Sequence, residues 1–324
     1  MRVCEQTAKH AITLPSRNRC ASSSVKSVTS QKSSMEHLAF PRLSKEKGWD
    51  RMFTQNQKGQ LFRSLHEREN AFIIPNPWDI GTARLLALLG FEALASTSAG
   101  YAFSIGQQDN SVGREAMMAH ASAIALATDL PVNGDLENGF GDDPEMVAET
   151  IRLAAAAGLV GGSIEDASGR PDQPIYDKTH AAERIRAAAE AARSLPFAFT
   201  LTARAENYLH SQIDLNDTIQ RLQAYQEAGA NVLYAPGLTT REEIAALVRS
   251  VDRPVNVLMG LQGVQLNLAT LSGLGVRRVS VGSALSRTAL GAFLRAAREM
   301  RTHGTFTFAE DAIGFGEINE LFKQ

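Results

Sequence analysis

Pro131-Val132-Asn133-Gly134-Asp135-Leu136-Glu137-Asn138-Gly139-Phe140-Gly141 begins as a short apolar strand and ends in two acids. Side chains alternate between the faces of a strand, so Asp135 and Glu137, two residues apart, are expected to project the same way. Gly139 and Gly141 then free the backbone for a sharp turn. A second short strand, Gly162-Ser163-Ile164, closes on Glu165-Asp166. Paired carboxylates repel unless a positive charge stands between them. An all-oxygen donor set suits Mg²⁺ or Mn²⁺, which makes Asp135, Glu137 and Glu165 candidate metal ligands. The competing reading is that these acids cap the helices that follow.

Outward from this stretch the same unit repeats. Apolar runs that read as strands begin near residues 71, 93, 132, 163, 198, 232, 255 and 279, and each is followed by a helical pattern. The helices are expected over 81–89, 114–129, 144–157, 178–195, 215–228, 240–251, 264–274 and 284–300, with one more at 61–67 ahead of the first strand. Pro144 at a first turn and Gly158 just past an end are start and stop signals. Alternating strands and helices imply a parallel sheet. Eight such units in about 250 residues fit an α/β fold of the closed (β/α)₈ TIM-barrel type. An open doubly wound sheet is the alternative, but no G-x-G-x-x-G follows the first strand. The expected organisation is a disordered or targeting extension over 1–56, a barrel over 57–304, and a C-terminal tail over 305–324 with an extra helix at 318–322.

Composition narrows the function classes. A net charge of -2 and a pI near 6.4 give no electrostatic case for nucleic acid or an anionic membrane. No apolar run approaches the roughly 20 residues that span a bilayer. The only cysteines, Cys4 and Cys20, lie in the N-terminal extension, so the barrel holds no thiol for a disulfide, a zinc site or a nucleophile. That extension is rich in Ser, Lys and Arg and has few acids (Glu5, Glu36, Glu46, Asp50). It reads as an over-long start, with translation from Met35 or Met52 and a cytoplasmic protein. The alternative is a mitochondrial or plastid transit peptide.

Barrels of this type do their chemistry at the carboxyl ends of their strands. Here those ends carry Asn76, Thr97 and Ser98, Asp135 and Glu137, Glu165 and Asp166, Arg204 and Glu206, Pro236, Met259, and Gly282 and Ser283. No lysine is among them, which argues against a Schiff-base aldolase. No histidine is among them either, which argues against a His-ligated zinc hydrolase. His66, His120, His180 and His303 are expected to be solvated, and only His210 lies near a strand end. What remains suits a divalent cation beside a small anionic substrate. Arg204 offers a bidentate fork for a carboxylate or phosphonate, or else pairs structurally with Glu206 or Glu165. Ser98 and Gly100 could turn backbone N–H groups toward the same anion.

On these residues the sequence resembles the isocitrate lyase / phosphoenolpyruvate mutase superfamily. Asp135-Leu136-Glu137-Asn138-Gly139-Phe140-Gly141 resembles its Asp-x-Asp-x-Gly-Tyr-Gly signature, and Ser163-Ile164-Glu165-Asp166 its Glu-Asp after the fourth strand. Thr97-Ser98-Ala99-Gly100, followed by Ile105-Gly106-Gln107-Gln108-Asp109, resembles its substrate-binding turn and Leu-Gly-x-x-Asp. Thr202-Ala203-Arg204 resembles its Ala-Arg on the fifth strand. The resemblance implies that Asp135 touches Mg²⁺ directly or through water and that Glu137 and Glu165 hold the ion's waters. It places Asp109 close by, makes Arg204 the binder of the substrate's acid group, and makes Thr97 to Gly100 substrate-binding. It implies chemistry on a 2-oxo or 2-hydroxy acid through an enolate, and a homo-oligomer, dimer or tetramer. Two departures matter. The loop Ala167-Ser168-Gly169-Arg170-Pro171-Asp172-Gln173-Pro174-Ile175-Tyr176 lacks the lyase cysteine and histidine and the mutase lysine and asparagine. Glu137 also replaces an aspartate. The sequence therefore points to a Mg²⁺-dependent lyase on a small (di)carboxylate. A C–P hydrolase or phosphonomutase is the first alternative, and a binding barrel without turnover the second.

Overall fold

The computed structural model describes residues 53–323, so the expectations for the first 52 residues lie outside the described residues. The described residues form ten strands and eleven α-helices. Eight strands form one parallel sheet: β1 (Phe72–Ile74), β2 (Leu94–Ala95), β3 (Val132–Asp135), β4 (Gly161–Glu165), β7 (Thr200–Arg204), β8 (Val232–Tyr234), β9 (Val255–Leu258) and β10 (Arg278–Ser280). Their order is β1-β10-β9-β8-β7-β4-β3-β2. The two outer strands meet where Ala95 N–H donates to the Pro75 carbonyl at 3.0 Å and Asn76 Nδ2 donates to the Ser96 carbonyl at 2.9 Å. The sheet is thus a nearly closed (β/α)₈ barrel, with every expected strand in place.

Short strands buried on both faces need apolar runs, and these supply them. Leu94, Val132, Ile164, Leu201, Leu233 and Val255 are all buried, together with the inner faces of the surrounding helices. Helix α1 (Gln55–Glu67) seals the amino end of the barrel with fully buried Phe62 and Leu65. It begins earlier than the hydrophobic pattern suggests because Thr54 and Gln57 form a capping box. Close approach at this seal needs a glycine, since a Cβ on Gly59 would sit 2.3 Å from the Ala198 carbonyl oxygen.

Other differences from the sequence expectation have local causes. The helix expected over 264–274 shrinks to α9 (Leu268–Gly273) because the Asn267 side chain caps it. The loop after β4 is an antiparallel hairpin of β5 (Ala167–Arg170) and β6 (Gln173–Ile175). A helix, α3 (Ser98–Ser104), starts at the turn after β2, with Thr97 as its N-cap. His66 and His120 are buried rather than solvated. His66 donates from Nδ1 to the Phe62 carbonyl, and burial first, then Arg278, hold its pKa down at about 3.

After β10 the chain leaves the barrel. The 20-residue helix α10 (Ala284–His303) buries only Ser286 and leaves Phe293 67% exposed. A short helix α11 (Phe315–Leu321) follows, and the Phe322 ring comes to 3.8 Å from the position of a Cβ on Gly81. Phe306 and Phe315 remain exposed. Among the described residues no helix is long and apolar enough to cross a membrane.

The seal at the amino end makes a direct forecast. Phe62→Ala removes a fully buried ring from between α1 and the strands and is expected to cost about 3–5 kcal/mol, read as a lower urea midpoint at unchanged slope. A midpoint within error of the parent would show that α1 does not close the barrel.

Candidate active site

Arg204 ends β7 at the barrel mouth, and three carboxylates converge on it. Its Nη1 stands 2.8 Å from Asp135 Oδ1, its Nη2 3.2 Å from Glu165 Oε2, and its Nε 2.8 Å from Glu206 Oε1. Its guanidinium also lies 5.2 Å from the centre of the Tyr234 ring. Both structural pairings that the sequence allowed, with Glu206 and with Glu165, are therefore present, and Asp135 is a third. Three of five N–H groups are engaged, which leaves two for another acceptor.

Asp135 is held from several sides. Its backbone N–H donates to Ser96 Oγ at 2.8 Å. Its Oδ2 accepts from the Ser98 amide and faces Ser98 Oγ, each at 3.0 Å. Ser98 Oγ is also 3.2 Å from Asp109 Oδ1. A single hydroxyl proton can serve only one of these carboxylates at a time. Asp109 titrates above the usual carboxylate range because of its burial and the nearby Asp135 charge. The Ser98 and Gly100 amides are not free for an anion as expected. The first binds Asp135, and the second donates to Thr97 Oγ1 in the cap of α3.

Glu137 does not follow strand alternation. β3 ends at Asp135, and Glu137 takes a left-handed φ of 49°, a conformation that costs an L-residue about 1–3 kcal/mol. Gly139, with φ of 81°, continues the turn. The buried guanidinium of Arg184, from α6 (Lys178–Arg193), clamps this turn. It donates to the carbonyls of Asn138, Gly141, Asp142 and Glu165 and lies 4.1 Å from the Tyr176 ring centre. Glu137 is thereby pressed into the interior, where its Oε1 has no hydrogen-bond partner. Burial, then the charges of Asp135 and Asp109, raise its pKa to about 8. Burial likewise pushes Glu165 well up, against the pull of Arg204.

Among the described residues no three His, Cys, Asp or Glu side chains form a ready-made direct ligand cluster. Mg²⁺ keeps several waters and commonly takes only one or two carboxylates directly. An orphaned buried carboxylate oxygen beside two further acids fits such a hydrated ion, so the donor set suits the cation implied by the sequence.

A cavity of about 160 Å³ opens at this mouth. Thr97, Ser98, Ala99, Asp109, Asp135 and Arg204 line it, whereas Gly100, Glu137 and Glu165 are not part of its lining. Asp166 is turned away and takes Arg221 at 3.1 Å and the Tyr225 hydroxyl at 2.6 Å, so the Glu165-Asp166 pair divides between site and scaffold. Sequence reasoning missed Asn133, Tyr234, Asn256 and Arg278 in the lining. Tyr234 closes β8 and was findable by the strand-end rule. Asn256 and Arg278 sit at the beginnings of their strands, where that rule does not look.

A barrel whose carboxyl-end mouth gathers acids, an arginine and a hydroxyl around a small polar cavity defines a class of enzymes for small acids. Residues 62–301 match the family model described as phosphoenolpyruvate phosphomutase, and the chain belongs to that family within the isocitrate lyase / phosphoenolpyruvate mutase superfamily. It is an enzyme of this lyase superfamily. A solved structure from Burkholderia cenocepacia J2315, provisionally called a lyase/mutase, aligns with a TM-score of 0.82 at 64% identity over 83% of this chain and 97% of that one. An uncharacterised Mycobacterium tuberculosis protein is 35% identical over 73% of this chain and 87% of its own. The oxaloacetate decarboxylase of Pseudomonas aeruginosa is 30% identical over 74% of this chain and 84% of its own.

Because Arg204 neutralises acids that are themselves mostly buried, Arg204→Met leaves uncompensated charge in the wall. It is expected to destabilise the fold by about 3–5 kcal/mol, measured by chemical denaturation. A variant as stable as the parent would mean that the three contacts are not ion pairs in solution.

Proposed function

We propose that this chain is a Mg²⁺-dependent lyase, with Mn²⁺ as a substitute. It cleaves or decarboxylates a small 2-oxo or 2-hydroxy dicarboxylate through an enolate. The observation that carries the reading is the convergence of Asp109, Asp135, Ser98 and Arg204 on one small cavity, backed by Glu137 with its unpaired oxygen. Asp135, with Glu137 and Glu165 through water, would hold the cation. Once bound, it supplies Lewis-acid stabilisation of negative charge developing on the substrate's 2-oxygen.

The chain's own groups do the rest. Arg204 turns its two spare N–H groups to the 2-oxo acid's carboxylate. Ser98 positions Asp135 and Asp109 on a shared hydroxyl. In decarboxylation the C–C bond breaks, CO₂ leaves, and the electron pair remains on the enolate of a 2-oxo acid. That enolate takes its proton from water. No thiol is required, which accords with a 167–176 hairpin that has neither Cys nor His. The similarity to an oxaloacetate decarboxylase supports the same choice. The family model's own name keeps C–P chemistry on phosphonopyruvate-type acids as the second reading.

A panel of 2-oxo and 2-hydroxy diacids and phosphonopyruvate, with and without EDTA, tests this. Pyruvate release from an oxaloacetate-type acid that stops with EDTA is expected, and Asp135→Ala should lower it at least about 10²-fold with circular dichroism unchanged. Phosphate or a rearranged phosphonate as the product would install the second reading. Metal-dependent binding without any product would overturn both.

We further infer that the apolar side of α10 and the tail seats a second copy of the chain in a dimer or tetramer. Phe293, Leu294, Phe306 and Phe315 are exposed on consecutive elements, and exposed apolar groups gathered this way are the kind that mark contact surfaces. Light scattering should find an oligomer that Phe293→Glu reduces toward monomer. A parent chain that elutes as a monomer would sink this inference.

A further inference from the structure

The cavity has a floor as well as a mouth. Arg278 opens β10 and is only 3% exposed. Strand register runs from Arg204 to Tyr234, from Tyr234 to Asn256, and from Asn256 to Arg278. Register partners project to the same side of a sheet, so Arg278 shares the lumen with Arg204. The two stand three strands apart on an eight-strand ring, so they enter from nearly opposite walls. Both line the one cavity of about 160 Å³.

Arg278 differs from the other enclosed arginines in what surrounds it. Arg204 has three carboxylates, Arg221 has Asp166 and Asp217, and Arg184 has a fan of backbone carbonyls. The partners of Arg278 are Asn256 Oδ1 at 2.8 Å, Thr202 Oγ1 at 3.0 Å and His66 Nε2 at 3.4 Å. All three are neutral. His66 already donates from Nδ1 to Phe62, so its Nε2 is an acceptor and carries no charge. Among the described residues no carboxylate stands within ion-pair distance of Arg278. A buried cation without a counter-charge is costly, and two of its N–H groups remain uncommitted.

A second observation at the same place also points to a ligand. Asn133, 3% exposed and lining the cavity, has a side-chain oxygen with no partner. Barrel interiors of this type are normally filled by layers of bulky branched side chains. Here Asn133, Thr202, Asn256 and Arg278 occupy that space. The lumen therefore stays open and polar beneath the acid mouth.

We propose that Arg278, positioned by Asn256 and Thr202, is an anion subsite at the cavity floor that binds the distal carboxylate of a four-carbon dicarboxylate and selects diacids over monoacids. This rests on the lyase reading for the cavity and narrows its substrate class. The acid-rich mouth, with its cation, takes the 2-oxo or 2-hydroxy acid end. The floor supplies the unpaired positive charge that the other end needs. The small volume, well below that of typical ligand pockets, suits a molecule of a few heavy atoms.

Malate and lactate differ by the distal carboxylate, and oxalate is too short to reach the floor. Calorimetric binding of all three in the presence of Mg²⁺, to the full-length wild type and to Arg278→Gln, reads the subsite without turnover. The wild type is expected to bind malate at least about ten-fold tighter than lactate. Arg278→Gln should erase that preference and leave oxalate affinity within about two-fold. Arg278→Lys keeps the charge and loses the fork, so it should retain part of the preference. It carries the test if the Gln variant melts early. The subsite is refuted if the wild type shows no preference for malate, or binds neither acid. It is also refuted if the variants lose malate and oxalate together, which a purely structural arginine would cause. Absence of any diacid turnover with the malate preference intact would strike the lyase reading and leave the subsite standing.

Discussion

One guanidinium sets the terms of the site. Arg204 is the cation at the mouth around which Asp135, Glu165 and Glu206 are gathered, and Asp109 and Glu137 lie within range of the same charges. Five carboxyls against one cation cannot all be ionised in a low-dielectric wall. Either some hold protons, as the upward shifts of Asp109, Glu137 and Glu165 indicate, or a second positive charge enters. That surplus of acid is the ground on which a divalent cation is proposed for the mouth. Arg204 keeps that surplus from pushing the strand ends apart.

The fold delivers this arrangement by fixing backbones rather than by local preference. Asp135, Glu165 and Arg204 each end a strand whose neighbours are hydrogen-bonded in register, so their spacing is set by the sheet. Glu137 is outside the sheet, and its placement needs a different device. The Arg184 clamp on the carbonyls of the turn holds a left-handed glutamate where the free chain would relax. The hairpin above is tied to the same turn, since Asp142 takes both Arg170 and the Tyr176 hydroxyl. Turn, hairpin and α6 therefore form one supported rim around the acids.

Much of this was legible in the chain, and the failures are instructive. Eight apolar runs with helical patterns between them are enough to specify a barrel, because period and length survive without knowledge of contacts. Strand-end position then picked out Asp135, Glu165 and Arg204. Alternation failed at Glu137 because a strand's last residue is decided by its neighbours' hydrogen bonds, which sequence does not display. Tertiary pairing also moved the Ser98 and Gly100 amides from ligand donors to internal donors. His66 is buried because Phe62, Phe72 and Arg278 surround it, and contacts with residues as distant as 278 are not visible in the pattern of its own helix. Arg278 was overlooked for a related reason. An arginine at the start of a strand is usually a surface residue, and only closure of the sheet turns this one inward.

The electrostatics of the lumen follow from combining these placements. The mouth carries a surplus of carboxyls that the proposed cation would offset, and the floor carries Arg278 with no carboxylate within ion-pair distance among the described residues. A small molecule with an anion at each end is stabilised by both, whereas a molecule with one anion leaves one end unsatisfied. The hairpin has neither cysteine nor histidine, and its Tyr176 hydroxyl is committed to Asp142. The lyase reading proposed above accordingly asks for no thiol or imidazole from this hairpin. On the proposed reading, cleavage that leaves the Arg278-bound carboxylate on a product is compatible with both ends being held, whereas loss of that same carboxylate as CO₂ requires its ion pair with Arg278 to break first.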